Sequence, residues 1–175
     1  MTDITRLRNV ADYWREIVVL DFDGYSRNPS DLRSALHAAI SLFHLADWVF
    51  QSHEARVRAT FTFKDRNNTT TKVGDGKGFA NALEQFENDF GRVRSVANAA
   101  KHLKCDRRPV TAAANNAANT FVEATGYGQG GYGQGPYGGG PRVVLEDGGS
   151  NLEFMDIVKN VFDMWETLNR QHGWW

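Results

Sequence analysis

The segment at residues 32–50 constrains the fold most, because its apolar residues cover nearly the whole circumference of a helix. Ser30 and Asp31 precede it and are suited to open a helix. The apolar residues form two stripes with helical spacing, Leu32, Ala35, Ala39, Leu42, Ala46 and Val49 on one and Leu36, Ile40, Phe43 and Phe50 on the other. A helix of this kind is buried. The sequence therefore predicts a central helix that begins near residue 31, reaches about residue 53 and is expected to extend to about residue 60.

Three further segments show helical periodicity around this central helix. They lie at residues 2–20, 79–88 and 152–171, and a fourth short helix is expected after residue 89. Residues 119–125 and 142–147 have the composition of two antiparallel strands. The predicted fold is therefore mainly α: a four- to five-helix bundle with a small β-hairpin inserted before the C-terminal helix. We expect a single helical domain over residues 1–175.

Two segments are predicted to be loops. Residues 64–78 are polar with three glycines, which is typical of an exposed loop. Residues 126–141 are rich in Gly and Tyr and contain the unit Gly-Tyr-Gly-Gln-Gly twice. Because glycine-dense chain loses much entropy when it is fixed, we expect a flexible hairpin loop there.

Composition narrows the functional classes. The net charge of −1 gives no attraction of the whole molecule to nucleic acid or to acidic membranes, so any such site must be local. A single cysteine, Cys105, excludes an intramolecular disulfide and fits a reducing compartment. The chain has no apolar run of the ~20 residues that a membrane span needs. We therefore expect a cytoplasmic protein with no membrane partner and no cofactor.

Residues 89–109 carry the greatest concentration of usable chemistry. Phe90, Val93, Ala97, Ala100 and Leu103 form an apolar stripe on the predicted helix. Arg94, Asn98 and His102 are four residues apart and share another stripe, which Lys101 borders. A cation, an amide and an imidazole in a row are suited to hold a phosphate or to move a proton. The segment is also basic, with the cluster Arg92, Arg94, Lys101, His102, Lys104, Arg107 and Arg108.

A helical bundle built around a helix with Arg94, Asn98, Lys101 and His102 resembles the HEPN superfamily. The usual signature of that family is an Arg, four to six intervening residues and a His, whereas seven residues separate Arg94 from His102 here. The resemblance implies a bundle that often dimerises through the motif helix. In active members the paired Arg and His cut RNA without a metal. The segments SLFHLADWVF and VRSVANAAKHLK, within residues 4–110, also resemble uncharacterised bacterial helical proteins.

Two functions follow as hypotheses. The first is a small cytoplasmic binding or regulatory module, non-enzymatic and homodimeric, that binds RNA or a nucleotide through Arg92, Lys101, Lys104, Arg107 and Arg108. The alternative is a metal-independent HEPN-type endoribonuclease of the toxin or phage-defence kind. In that case His102 is the general acid/base, Arg94 stabilises the charge of the phosphorane and Asn98 orients His102 or the substrate.

Three features have a competing structural interpretation. His37 and His44 lie on one face of the central helix with Ser41 and Trp48, and Asp47 lies a turn beyond His44. Together with His102 they are a candidate metal site, but no metal is predicted because the helix-borne Glu-x-x-His pairs of di-iron bundles are missing. Cys105 is interpreted as structural. For Trp174 and Trp175 two alternatives stay open: packing back onto the bundle, or a place in a dimer interface.

Overall fold

The computed structural model describes residues 6–102, 116–123 and 140–175. This part of the chain is mainly helical, with a small antiparallel sheet before the final helix, so the predicted fold class is confirmed. The helices are α1 (Val10–Tyr13), a π-helical turn (Trp14–Val18), α2 (Val19–Arg27), α3 (Leu32–Thr60), α4 (Gly76–Phe86), α5 (Asn88–His102) and α6 (Phe154–His172). The strands are β1 (Thr62–Lys64), β2 (Thr70–Lys72), β3 (Thr120–Glu123), β4 (Arg142–Asp147) and β5 (Ser150–Glu153). None of the described helices has the length and hydrophobicity that a membrane crossing needs.

The first helical segment lies further along the chain than its sequence predicts, at residues 10–27 and not at residues 2–20. It begins at Val10, where Oδ1 of Asn9 caps it by accepting from the backbone N–H of Asp12 at 2.9 Å. It then runs through the π turn to Arg27, past the predicted end near residue 20. Tyr25 is fully buried, and the ring of Phe22 stacks on Phe162 with 4.1 Å between centroids. The burial of these two aromatic side chains outweighs the cost of about 1 kcal/mol that Gly24 adds within α2.

The prediction of a long central helix is confirmed by α3. Asp31 caps its start by accepting from the backbone N–H groups of Arg33 and Ser34. The helix continues to Thr60 with one non-helical residue, His53, at φ −131° and ψ 28°. One predicted apolar stripe is buried at five of its positions, Ala35, Ala39, Leu42, Ala46 and Val49.

The predicted loop at residues 64–78 contains regular structure instead. β1 and β2 form an antiparallel hairpin in which Phe63 lies opposite Thr71. The amide of Gln85 joins this hairpin to α4, because it accepts from N–H of Lys64 at 2.7 Å and donates to its carbonyl at 2.8 Å. α4 already begins at Gly76, and not at residue 79 as the sequence predicts. It ends at Phe86, which is 53% exposed.

The small sheet has one strand more than the sequence predicts. β3 and β4 pair antiparallel as expected, and β5 pairs antiparallel with the other edge of β4. Gly148 and Gly149 connect β4 to β5 at φ 61° and 86°. A two-residue hairpin turn of this type needs positive φ at both positions, which glycine adopts at low cost. Ser150 and Asn151 therefore belong to β5, and α6 begins at Phe154 and not at residue 152 as the sequence predicts.

The core surrounds Trp165, which is fully buried on α6. Its indole N–H donates to the carbonyl of Leu42 at 3.1 Å, which joins α6 to α3. Trp14 belongs to the same core. Phe43 is half-buried and packs against this core. Ala97 is buried as well, but it lies outside this cluster.

The last two tryptophans of the sequence pack back onto the bundle, which confirms one of the two alternatives. Gly173 ends α6 in the left-handed region at φ 60°, so the chain reverses there. Oδ1 of Asn169 then accepts from the backbone N–H groups of Trp174 and Trp175, both at 2.9 Å. The buried ring of Trp174 contacts Trp165, and the ring of Trp175 stacks on that of Trp14 with 4.7 Å between centroids.

Candidate functional site

The helix predicted after residue 89 forms as α5, which packs against α3, α4 and α6. Phe90, Val93 and Ala97 of its predicted apolar stripe are buried, whereas Ala100 is exposed and Leu103 lies outside the described residues. Most of α5 therefore faces the interior of the bundle. Its exposed residues are Asn88, Ala100 and Lys101, with the side chain of His102 not included.

Arg94 bonds to α4 and not to its neighbours on α5. Its Nη1 donates to Oε1 of Glu84 at 2.9 Å and to Oδ1 of Asn81 at 3.1 Å. The side chain of Arg94 is 22% exposed and that of Glu84 only 7%. A half-buried guanidinium beside a buried carboxylate is a structural ion pair that joins α5 to α4.

Arg92 is also held by carboxylates. Its Nε donates to Oδ2 of Asp147 at the end of β4, at 2.8 Å, and its Nη1 donates to Asp89. Asp89 also accepts from the amide of Asn160 on α6 at 2.7 Å. Burial by itself would lower the pKa of Arg92, but the bonds to Asp147 and then to Asp89 outweigh burial and raise that pKa. Arg92 thus connects α5 to the sheet.

These pairs neutralise two members of the predicted basic cluster. In the sequence no acid lies between Gly91 and Cys105, but Glu84 and Asp147 reach Arg94 and Arg92 from other elements. Among the remaining predicted site residues, Asn98 is half-buried and Lys101 is exposed. The side chain of His102 and residues Lys104, Cys105, Arg107 and Arg108 lie outside the described residues. In the described part, Arg94 is brought together with Asn81 and Glu84.

The face of α3 that carries His37, Ser41, His44 and Trp48 is divided into a buried and an exposed part. Ser41 is buried and its hydroxyl donates to the carbonyl of Ala38, and Trp48 stacks on Tyr13 with 4.8 Å between centroids. His37, His44 and Asp47 are exposed. Within residues 6–102, 116–123 and 140–175, no three His, Cys, Asp or Glu side chains are grouped so as to hold a metal ion. The side chain of His102, the remaining member of this candidate site, lies outside the described residues.

A cavity that the sequence-based interpretation missed lies between the β1–β2 hairpin and α4. Its volume is about 340 Å³. It is lined by Phe63, Thr71 and Lys72 of the hairpin and by Lys77 and Asn81 of α4. Asn81 is the residue to which Arg94 donates, so the motif helix is connected to this cavity through one side chain.

The cavity had one signal in the sequence. Gly74, Gly76 and Gly78 alternate with Asp75 and Lys77, and the sequence predicts this glycine-rich run only as part of the loop at residues 64–78. An added Cβ at Gly78 would lie 3.2 Å from Cε1 of Phe63, so the glycine allows the hairpin to approach α4 closely.

Comparison of the chain with models of protein families, with curated proteins and with solved structures finds no match.

Proposed function

We propose that this protein is a non-enzymatic binding or regulatory module of the cytoplasm, with RNA as its partner. The observation that carries the choice against catalysis is the ion pair between Arg94 and Glu84, at 2.9 Å. In the ribonuclease alternative the guanidinium of Arg94 has to meet the charge that develops on the phosphorane. Here the guanidinium bonds to a carboxylate and an amide of α4.

The environment of Arg94 also opposes a phosphate. The carboxylate of Glu84 is 7% exposed, and a negative charge at such a position repels an incoming anion in a medium that screens poorly. Moving Arg94 to a substrate would leave Glu84 buried without its cation, which costs more than the pair itself contributes. A binding module needs no such movement.

Binding is better supported at the C-terminal end of α5. Lys101 is exposed there, while Arg92 and Arg94, further back on the helix, are held by acids. The sequence that follows adds Lys104, Arg107 and Arg108. Contacts between such cations and the phosphates of RNA contribute affinity without base specificity. We therefore propose a low-affinity, sequence-independent RNA contact at this end.

Binding and cleavage of a labelled single-stranded RNA, measured between 50 and 200 mM salt, test the proposal. We expect binding that weakens steeply with salt and no cleavage. Lys101→Gln should weaken binding and lower the slope against salt by about one phosphate contact. Lys64→Gln, which removes an exposed lysine from β1, is the matched control and should bind as the unsubstituted protein does.

Two outcomes would decide against this proposal. Cleavage by the unsubstituted protein that His102→Ala abolishes without loss of folding would favour the HEPN-type ribonuclease. Absence of RNA binding at 50 mM salt would remove RNA as the partner.

The homodimer stays a prediction, and light scattering at several concentrations tests it. Because the described part of α5 is mostly buried against α3, α4 and α6, we expect any dimer to use another surface.

A further inference from the structure

We propose that the outer edge of β2 is a docking site for an extended, acidic peptide segment of a partner protein, which adds a third, antiparallel strand to the β1–β2 hairpin. The proposal does not depend on the RNA contact at the end of α5, because it uses another surface and another class of partner. It rests on the register of the hairpin, on how rigidly the hairpin is held and on the charges of its exposed face.

The register of the hairpin leaves the outer edge of β2 open. N–H of Val73 donates to the carbonyl of Phe61 at 3.2 Å, so this pair belongs to the ladder between the strands. Because the ladder of an antiparallel pair alternates, the N–H and C=O groups of Thr70 and Lys72 point away from β1. Among the described residues β2 pairs with β1 alone, and these outward groups have no protein partner.

The chain covers the corresponding edge of β1 by itself. The amide of Gln85 accepts from N–H of Lys64 at 2.7 Å and donates to its carbonyl at 2.8 Å, so a side chain of α4 takes the place of a neighbouring strand. Oδ1 of Asp65 fixes the turn by accepting from N–H of Asn67 and of Thr69, both at 2.9 Å. β2 is therefore a preformed strand, and preorganisation lowers the entropy that a partner loses on binding.

The exposed face of the hairpin is cationic. Lys64 and Lys72 lie on this face, and Arg66 is exposed in the turn. Asp65 is the single acid within residues 61–73, and the backbone of the turn already occupies its carboxylate. In the part of the chain that the structure describes, no carboxylate pairs with these three cations. An acidic strand beside β2 is favoured, because opposite charges on neighbouring strands stabilise a sheet.

The same charges distinguish the classes of occupant. A second copy of this chain that paired through β2 would bring two cationic hairpins together, and like charges on neighbouring strands are destabilising. Lysines on a short edge strand oppose such self-association. RNA carries the required negative charge but has no strand backbone to pair with Thr70 and Lys72. An extended acidic peptide matches both the open edge and the charge.

The ladder determines which residues of the added strand meet the cations. In an antiparallel pair, residues that exchange hydrogen bonds lie opposite each other, with their side chains on the same face of the sheet. The residues that bond to Thr70 and Lys72 therefore project from the cationic face, and we expect them to be acidic. The alternate residues project from the other face, beside Thr71, which lines the cavity next to α4.

Fluorescence anisotropy with a dye-labelled peptide of alternating Thr and Glu tests the proposal. We expect this peptide to bind, with an affinity that falls as salt rises, and a peptide of alternating Thr and Lys not to bind. Methylation of the Glu backbone nitrogens should weaken binding at least tenfold, because their N–H groups face β2. Methylation of the Thr nitrogens, whose N–H groups point away from β2, is the matched control and should change binding less than threefold.

Substitutions in the protein give a second test. Lys72→Glu should weaken binding of the Thr/Glu peptide at least fivefold, and Lys101→Glu, the same change outside the hairpin, should leave it unchanged. Thr70→Pro removes one outward N–H group of β2 and should weaken binding at least threefold. Thr62→Pro, at an outward position of β1, is its control and should not weaken binding. Circular dichroism verifies that the two proline variants fold.

The proposal is overturned if the Thr/Glu peptide does not bind, if methylation of Glu and of Thr nitrogens has equal effects, or if Lys72→Glu binds the peptide as well as the unsubstituted protein does. Loss of RNA binding in Lys72→Glu, without any binding of the peptide, would assign the hairpin to RNA and overturns it as well. Lys101→Glu should weaken RNA binding alone, so failure of the RNA proposal and failure of this one are distinguishable.

Discussion

Nη1 of Arg94 on α5 lies 2.9 Å from Oε1 of Glu84 on α4, and the carboxylate is almost completely buried. We expect Glu84→Gln to lower the free energy of unfolding by about 1–3 kcal/mol, because a half-buried guanidinium loses its charged acceptor. Chemical denaturation measures this loss. Glu54→Gln, which breaks the exposed pair with Arg58, is the control and should cost less than about 1 kcal/mol. Equal effects of the two substitutions would mean that Arg94 is not held by Glu84.

Trp165 and Trp14 should contribute strongly to stability because both lie in the core. Trp165→Ala and Trp14→Ala are each expected to cost about 3–5 kcal/mol, the range for truncation of a large buried aromatic side chain. The exposed Leu20 provides the control, and Leu20→Ala should change stability by less than about 0.5 kcal/mol. Denaturation midpoints of the three variants measure these differences. A loss below about 0.5 kcal/mol for either tryptophan would contradict its position in the core.

His172 should make the folded protein less stable as the pH falls. Burial, and secondarily the charge of Arg56, lower the pKa of His172 below its ordinary value of 6.5. The folded protein therefore binds a proton on this ring less readily than the unfolded chain does. Its contribution to stability is complete above pH 6.5 and is lost as pH falls from 6.5 towards the folded-state pKa, with a slope below about 1.4 kcal/mol per pH unit.

Unfolding measured between pH 5 and 8 checks this prediction. His172→Gln should reduce the dependence on pH, whereas Leu20→Ala, which changes an exposed residue without a titratable group, should leave it unchanged. Two side chains of α3 lie beside the same region: Nη1 of Arg56 donates to the carbonyl of His172, and Nε2 of His53 is 3.2 Å from the carbonyl of Trp174. A dependence that persists in His172→Gln and disappears in His53→Gln would assign it to the second histidine.

The Gly/Tyr-rich segment should be dispensable for folding. Glu123 of β3 is paired with Arg142 of β4, so the chain between them joins two strands that already lie side by side. Replacing residues 126–140 by Asn-Gly should leave the melting temperature within a few degrees, since a shorter loop costs slightly less entropy to close. Thermal unfolding followed by circular dichroism measures it. A large drop in melting temperature would show that the replaced segment contributes packing or hydrogen bonds.

Much of the fold is determined by the sequence locally. The apolar stripe through Ala35, Leu42 and Val49 predicts α3 as the central helix, and Asp31 marks its start, because periodicity and capping depend on residues a few positions apart. The pairing of β3 with β4 follows from two β-prone runs separated by a glycine-rich segment. The strand β5 lacks this signal, because Leu152 is its single apolar residue, whereas β3 contains Phe121 and Val122.

Only the tertiary structure determines which charged side chains of the candidate site are neutralised. Arg92 and Arg94 form a basic cluster in the sequence, but their partners Asp147 and Glu84 are 55 and 10 residues away and are brought to them by the packing of β4 and α4. Likewise, the amide of Gln85 bonds to the backbone of Lys64 only because the hairpin lies against α4. The charge on a side chain is a property of its residue type, whereas what neutralises it depends on which elements pack together, and local periodicity carries no information about that.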